Sequence, residues 1–158
     1  MDRTYAADVL KKSGEVVTVR GFIDNLRDSK YMTFIVLKDI TGKVQITIEK
    51  EQHPEWEELL ASLTGDSVIS VTGQVNANDY VKLGGVEILP TEILVDSIAD
   101  ALPIARKAIP ATKKKKEVER SSIDQRIDYR WIDLRTDENQ LAFKVQTCMV
   151  NAMRAPTR

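Results

Sequence analysis

The sequence is poor in the residues that build metal sites and disulfides, with one Cys and one His among 158 residues. A single Cys excludes an internal disulfide and any Cys-built zinc site; a single His excludes multi-His catalytic metal centres. No apolar run approaches the roughly 18 residues that a membrane helix needs, and no charged start leads into an apolar signal core. No Gly-rich loop followed by Lys and Ser/Thr is present to cradle a phosphate. No Ser or Cys stands in a motif with a His partner, so the residues offer no catalytic constellation. His53 beside Pro54 is expected at the surface, and Cys148 beside Met149 is expected to pack. The expectation is a cytoplasmic protein without metal, cofactor or membrane anchor.

Charge is the second scarcity, since 23 Lys and Arg nearly cancel 24 Asp and Glu to leave a net −1. The balance is uneven along the chain. Residues 1–104 hold 10 basic and 17 acidic side chains, whereas residues 105–135 hold 10 basic and 5 acidic. Such asymmetry fits either a polyanionic partner or a solvated connector.

What is present is a clear change of period. Thr4 can cap a short helix whose Ala6, Val9 and Leu10 fall at helical spacing before Gly14. From Glu15 the period becomes two, with Val17, Val19, Gly21 and Ile23 on one side and Val16, Thr18, Arg20 and Phe22 on the other. Tyr31–Asp39 and Lys43–Glu49 read as the next strands, joined by the turn Asp39-Ile40-Thr41-Gly42. Pro54–Leu63 reads as a helix with Pro in its first turn and a stripe of Trp56, Leu59, Leu60 and Leu63. Two more strands, Ser67–Val75 and Val86–Val95, follow, and Pro90 predicts an edge or a bulge. Three strands, a helix and two strands specify a five-stranded OB-fold barrel, whose outer face on strands two and three binds oligonucleotides. Residues 1–103 form this domain, residues 104–122 a linker, and residues 123–158 a further segment with a helix from Asp137 to Arg154. The Lys113–Lys116 run in the linker suits phosphate contact, nuclear import or plain solvation.

In strand two, Phe34 and Val36 alternate with Thr33, Ile35 and Leu37. In strand three, Gln45 and Thr47 alternate with Val44, Ile46 and Ile48. The Asp39–Gly42 turn sets Val36 opposite Gln45 and Phe34 opposite Thr47, making Phe34 and Gln45 diagonal neighbours on the outer face. Glu87, between Val86 and Ile88, also points out. A ring that stacks on one unstacked base, beside an amide and a carboxylate, can read uracil. The amide donates to a carbonyl and the carboxylate accepts the ring N–H, where cytosine presents an acceptor. The residues alone also allow Phe34 to pack under the N-terminal helix, leaving Gln45 and Glu87 as ordinary surface.

Beyond pattern, Arg3-Thr4-Tyr5, Gly21-Phe22-Ile23, Arg27-Asp28, Phe34–Asp39, Gly42–Gln45, Gly85–Pro90 and Leu102-Pro103 resemble the N-terminal anticodon-binding domain of aspartyl-tRNA synthetases of archaeal or eukaryotic type. Arg126-Ile127-Asp128-Tyr129-Arg130-Trp131-Ile132-Asp133-Leu134-Arg135 is similar to the segment that joins that domain to the catalytic domain in the Asp, Asn and Lys synthetases. The resemblance implies that Phe34 stacks on the middle anticodon base, a uracil, that Gln45 and Glu87 read it, and that Arg27 contacts the anticodon region. It implies a role for Lys82 at the first anticodon base. The implied partner is the anticodon stem-loop of a tRNA.

Asp, Asn and Lys anticodons share the middle uracil, and Arg27-Asp28-Ser29-Lys30 has an asparaginyl character. Phe22 stands where the family usually has Trp. The sequence ends at Arg158 without the three class II motifs, so the chain is expected to be non-catalytic: a fragment, a truncated product or a free-standing module. ATP, Mg and a homodimer are expected only of an intact parent ligase, with this chain alone monomeric. The competing expectation is an OB-fold protein-interaction module with the basic segment as a docking arm.

Overall fold

The computed structural model describes residues 2–104 and 121–155, so the Lys113–Lys116 run and most of the expected linker lie outside the described residues. The chain divides into two compact units, Met1–Ala101 and Leu102–Arg158.

The first unit carries α1 (Ala6–Val9), β1 (Val16–Asp28), β2 (Met32–Lys38), β3 (Lys43–Glu49), a 3-10 turn at Pro54–Trp56 continuing into α2 (Glu57–Ser62), β4 (Val68–Ala77) and β5 (Val86–Ser97). The strands close into a barrel in the order β1-β2-β3-β5-β4, the expected OB-fold architecture. All neighbours are antiparallel except β3 and β5, which pair in parallel at Gln45–Glu87 and Ile46–Ile88. The inward set of β1, β2 and β3 is the one that the alternation predicts: Val17, Val19 and Ile23, then Ile35 and Leu37, then Val44, Ile46 and Ile48 are buried together. Leu60 and Leu63 of the α2 segment join this cluster, and Trp56 and Leu59 pack against it. The core is aliphatic. Among the described residues no aromatic side chain is buried, and β-branched Val and Ile, which fit a pleated surface, fill the barrel instead.

Pro90 marks a bulge, as expected: the β4–β5 register shifts between Thr72 and Gly73, and Gly73 faces Pro90. A Cβ at Gly73 would fall on the Leu89 carbonyl oxygen and 2.7 Å from the Pro90 Cα, so only glycine fits that crossing. The turn after β2 also follows expectation. Asp39 Oδ1 accepts from Thr41 N–H at 2.7 Å and from Gly42 N–H at 3.0 Å.

The cap of α1 departs from expectation. Tyr5, not Thr4, is the N-cap, and it offers no side-chain bond. Asp39 Oδ2 instead accepts from Ala6 N–H at 2.8 Å, and Thr41 Oγ1 accepts from Ala7 N–H at 3.2 Å. A four-residue helix cannot sustain itself; the β2–β3 turn satisfies its free amides, while Ala6 and Val9 enter the core.

The second unit holds α3 (Ile123–Asp128), α4 (Arg130–Asp133) and α5 (Asp137–Arg154), the last with the expected bounds. Ser122 and Gln125 form a capping box on α3, and Thr136 caps α5. Asp133, only 3% exposed, is the hub. Arg126 Nε and Arg130 Nη1 each donate to its carboxylate at 2.8 Å, and Asn139 Nδ2 donates to it at 3.0 Å. The Arg126 bond, aided by Arg130 and Asn139, holds this carboxyl below the usual range despite its desolvation. The stripe of Leu141, Val145 and Met149 on α5 is exposed, and so is Cys148, against the expectation that it packs.

Two measurements test these assignments. Burial alone would raise the Asp39 carboxyl, but bonds from Thr41, Ala6 and Gly42 outweigh it and hold the group below its ordinary 3.8. A carboxyl lowered on folding stabilises above its unfolded pKa and loses that contribution as pH falls through the folded value. Asp39→Ala should therefore cost about 1–2 kcal/mol at neutral pH. In urea melts, its deficit against the parent should narrow in strongly acid buffer. Adjacent residues of β2 should behave oppositely: Ile35→Ala, at a site 0% exposed, should cost about 2–5 kcal/mol. Phe34→Ala, on the outer face, should cost about 1 kcal/mol or less. Equal losses at the two positions would show that the Phe34 ring belongs to the core.

Candidate nucleic-acid interface

The outer face of the barrel is ordered by strand register. Phe34 of β2 lies between Arg27 of β1 and Thr47 of β3. One step along, Val36 faces Gln45, and Gln45 faces Glu87 of β5. Asn76 of β4 completes this row beyond Glu87. Four of the five residues singled out in the sequence, Arg27, Phe34, Gln45 and Glu87, thus occupy neighbouring positions on three strand interfaces. Phe34 is half-buried and outside the core cluster, so its ring is not part of the barrel interior.

A bulge places Arg27 there. The β1–β2 register slips between Ile23 and Asn25, so Asp24 has no partner in the ladder. Before the slip the odd residues Val17, Val19 and Ile23 face the core; after it Leu26 packs against the core and Arg27 is exposed. Without the extra residue the two-residue period would turn Arg27 into the barrel. The Asp24 carboxylate, 7% exposed, meets Lys43 Nζ at 3.3 Å. Lys43 is therefore not a free cation of this face.

Two residues that the sequence reading did not select hold Glu87, and one of them, Thr47, also links it to Gln45. Thr47, 3% exposed although it belongs to the outward set, donates through Oγ1 to Glu87 Oε2 at 2.5 Å. The same hydroxyl accepts from Gln45 Nε2 at 3.3 Å. Asn78 Nδ2 donates to the other carboxylate oxygen, Glu87 Oε1, at 2.8 Å. Thr47 carried a legible signal, because the turn register already sets it opposite Phe34. Asn78 carried none, because its reach depends on the path of the β4–β5 loop.

This network orients the two polar groups without exhausting them. A carboxylate has about four acceptor sites, and two at Glu87 are occupied. The Gln45 amide has two N–H donors and gives one to Thr47. A donor and an acceptor thus stand side by side next to an accessible ring, the arrangement needed to stack one planar base and meet its polar edge.

Charge around the face is mostly internal. Lys50 Nζ lies 2.8 Å from Asp28 Oδ1. Its hydrogen bond, with another from Thr33, holds the Asp28 carboxyl below the usual range. Lys30 lies 5.0 Å from the centre of the Tyr31 ring. Among the described residues, Arg27 and Lys82 make no ion pair and remain available to phosphate. Lys82 stands apart from the other four, exposed in the β4–β5 loop beside buried Val81. His53 is not merely surface: its ring stacks on Trp56 at 3.9 Å between centroids.

Comparison with known proteins bears on the family and the fold. The aspartate–tRNA(Asp/Asn) ligase of Methanopyrus kandleri is 38% identical over 153 residues, covering 95% of this chain and 33% of the relative. Among solved structures, the aspartyl-tRNA synthetase of Entamoeba histolytica superposes with a TM-score of 0.80 at 24% identity, over 98% of this chain and 36% of that one. The asparaginyl-tRNA synthetase of Pyrococcus horikoshii with asparaginyl-adenylate superposes with a TM-score of 0.77 at 23% identity, over 98% and 33%. The chain spans about a third of the length of the curated relatives it matches. Residues 17–97, the barrel strands with the outer face just described, match the OB-fold nucleic acid binding domain of tRNA anticodon type, and the chain belongs to that family.

Proposed function

We propose that this chain reads the anticodon of a tRNA as the N-terminal part of an aspartate–tRNA ligase, with uracil as the middle base. The observation that carries the reading is the outward Phe34 ring beside the Gln45–Thr47–Glu87 hydrogen-bond chain. In this reading the base stacks on Phe34, Gln45 donates to a uracil carbonyl, and Glu87 accepts the N3–H. Cytosine has a lone pair at that position and faces the Glu87 carboxylate with acceptor against acceptor, so it is rejected. Arg27 meets the phosphate flanking the stacked base, and Lys82 meets the neighbouring nucleotide from the loop.

The curated relatives support aspartate as the amino acid, because their names specify aspartate while Asn and Lys anticodons share the middle uracil. The ligase chemistry, with ATP and Mg, and any homodimer belong in this reading to the intact parent, beyond the third of the relatives' length that this chain spans. The expected setting is the cytoplasm, with the translation machinery. The competing protein-interaction reading keeps the acidic balance of residues 1–104 as its argument, but on the proposed face the acids Asp24 and Asp28 are paired with Lys43 and Lys50.

The test is binding of the full chain to anticodon stem-loops that differ only in the middle base. Uracil should be preferred over cytosine at least tenfold, about 1.4 kcal/mol. Phe34→Ala should weaken binding of the uracil stem-loop by about 1–3 kcal/mol, the range for one stacked base. Equal affinity for the two stem-loops, or no binding at low salt, would refute the reading.

A further inference from the structure

Asn78 stands just past the end of β4, where the chain enters the loop to β5, and both ends of its side-chain amide are engaged. Nδ2 donates to Glu87 Oε1 at 2.8 Å, while Oδ1 accepts from Tyr80 N–H at 3.0 Å. Its backbone is held as well. Asn78 N–H donates to Gly85 O at 2.8 Å, and its carbonyl accepts from Val81 N–H at 3.0 Å. Gly85, at φ +70°, reverses the chain into β5. Buried Val81 anchors the loop from within, and Tyr80, 95% exposed, and Lys82 flank it on the outside.

The Glu87 carboxylate is therefore set by two donors of different kinds. Thr47 is buried on β3, in the middle of the barrel wall, and holds Oε2. Asn78 holds Oε1 and belongs to the loop. Any displacement of the loop backbone at Tyr80 acts through the same planar amide on the carboxylate. Any base that fixes the carboxylate fixes the loop in return, since coupling between two contacts is reciprocal.

We propose that Asn78 is a positioning residue that couples readout of the middle base at Glu87 to RNA contact at the Tyr80–Lys82 loop. The exposed phenol ring of Tyr80 and the unpaired ammonium of Lys82 suit a base face and a phosphate of the adjacent nucleotide. The coupling rests on the base reading proposed above and adds that the two contacts reinforce each other through one amide group.

The test uses the full chain and stem-loops with uracil or cytosine in the middle, each with an intact, an abasic first or an abasic third anticodon nucleotide. In the unmodified chain, one of the abasic changes should lower the uracil-over-cytosine preference about fivefold, the lower end of usual coupling. In Asn78→Ala the preference should fall about fivefold with all anticodon bases present, and the abasic change should no longer affect it. Asn78→Asp keeps the acceptor for Tyr80 N–H but sets a carboxylate against Glu87, so it should lose the preference while the loop turn is retained. Variants that keep both the preference and its dependence on the neighbouring base would overturn the coupling. So would a uniform loss of affinity for uracil and cytosine alike. Absence of any preference in the unmodified chain would instead overturn the base reading, and the coupling with it.

Discussion

Two residue pairs, Gln45 with Glu87 and Ile46 with Ile88, join β3 to β5 in parallel, and both halves of the molecule's behaviour depend on them. The meander β1-β2-β3 and the hairpin β4-β5 are each stabilised by local antiparallel pairing. Only with the β3–β5 contact, together with β1–β4, does the sheet close and lose its free edges. The inner pair, Ile46 and Ile88, is fully buried and contributes apolar area to the core. The outer pair, Gln45 and Glu87, sets an amide beside a carboxylate. One short ladder thus closes the barrel and assembles its polar face.

The aliphatic core explains how that face has room for aromatic rings. Val and Ile fill the interior, where their branched side chains fit the pleat, and the one aromatic packed against that cluster is Trp56, from the helix segment rather than a strand, among the described residues. Phe34 can then sit outside, supported from either side by Arg27 and Thr47 in register. A barrel that relied on Phe34 for its core would have no ring to offer a ligand. Buried core residues and the outer residues of the proposed recognition face alternate along the same strand, so in that reading either set can be altered with little cost to the other.

Electrostatics follows the same economy. The acidic balance of the N-terminal region does not translate into a repulsive face, because Asp24 and Asp28 are paired with Lys43 and Lys50, and Asp39 is consumed by the turn and by α1. Arg27 and Lys82 are left uncommitted among the described residues, one on the strand face and one on the loop. Net charge is a poor guide here, since pairing decides which charges reach a ligand.

Alternation and turn chemistry made much of this legible. The inward residues of β1 to β3, the Asp39–Gly42 turn with its Val36–Gln45 register, the helix before β4 and the bulge at Pro90 all follow from period, propensity and proline geometry, which act over a few residues. Phe34, Gln45 and Glu87 could be set on one side by the same reasoning. Other features depend on contacts between distant segments. The slip at Asp24, which turns Arg27 outward, comes where Asp24 meets Lys43 on β3, a contact that no local pattern reveals. The cap of α1 comes from a residue more than thirty positions away, and Asn78 reaches Glu87 only through the loop's own fold. The sequence by itself determined which side chains are inside and which outside along each regular strand, because a period of two needs no partner to be read. Only the tertiary structure decided where that period breaks and which polar groups lock together, because bulges and side-chain hydrogen bonds are settled by what lies across the sheet.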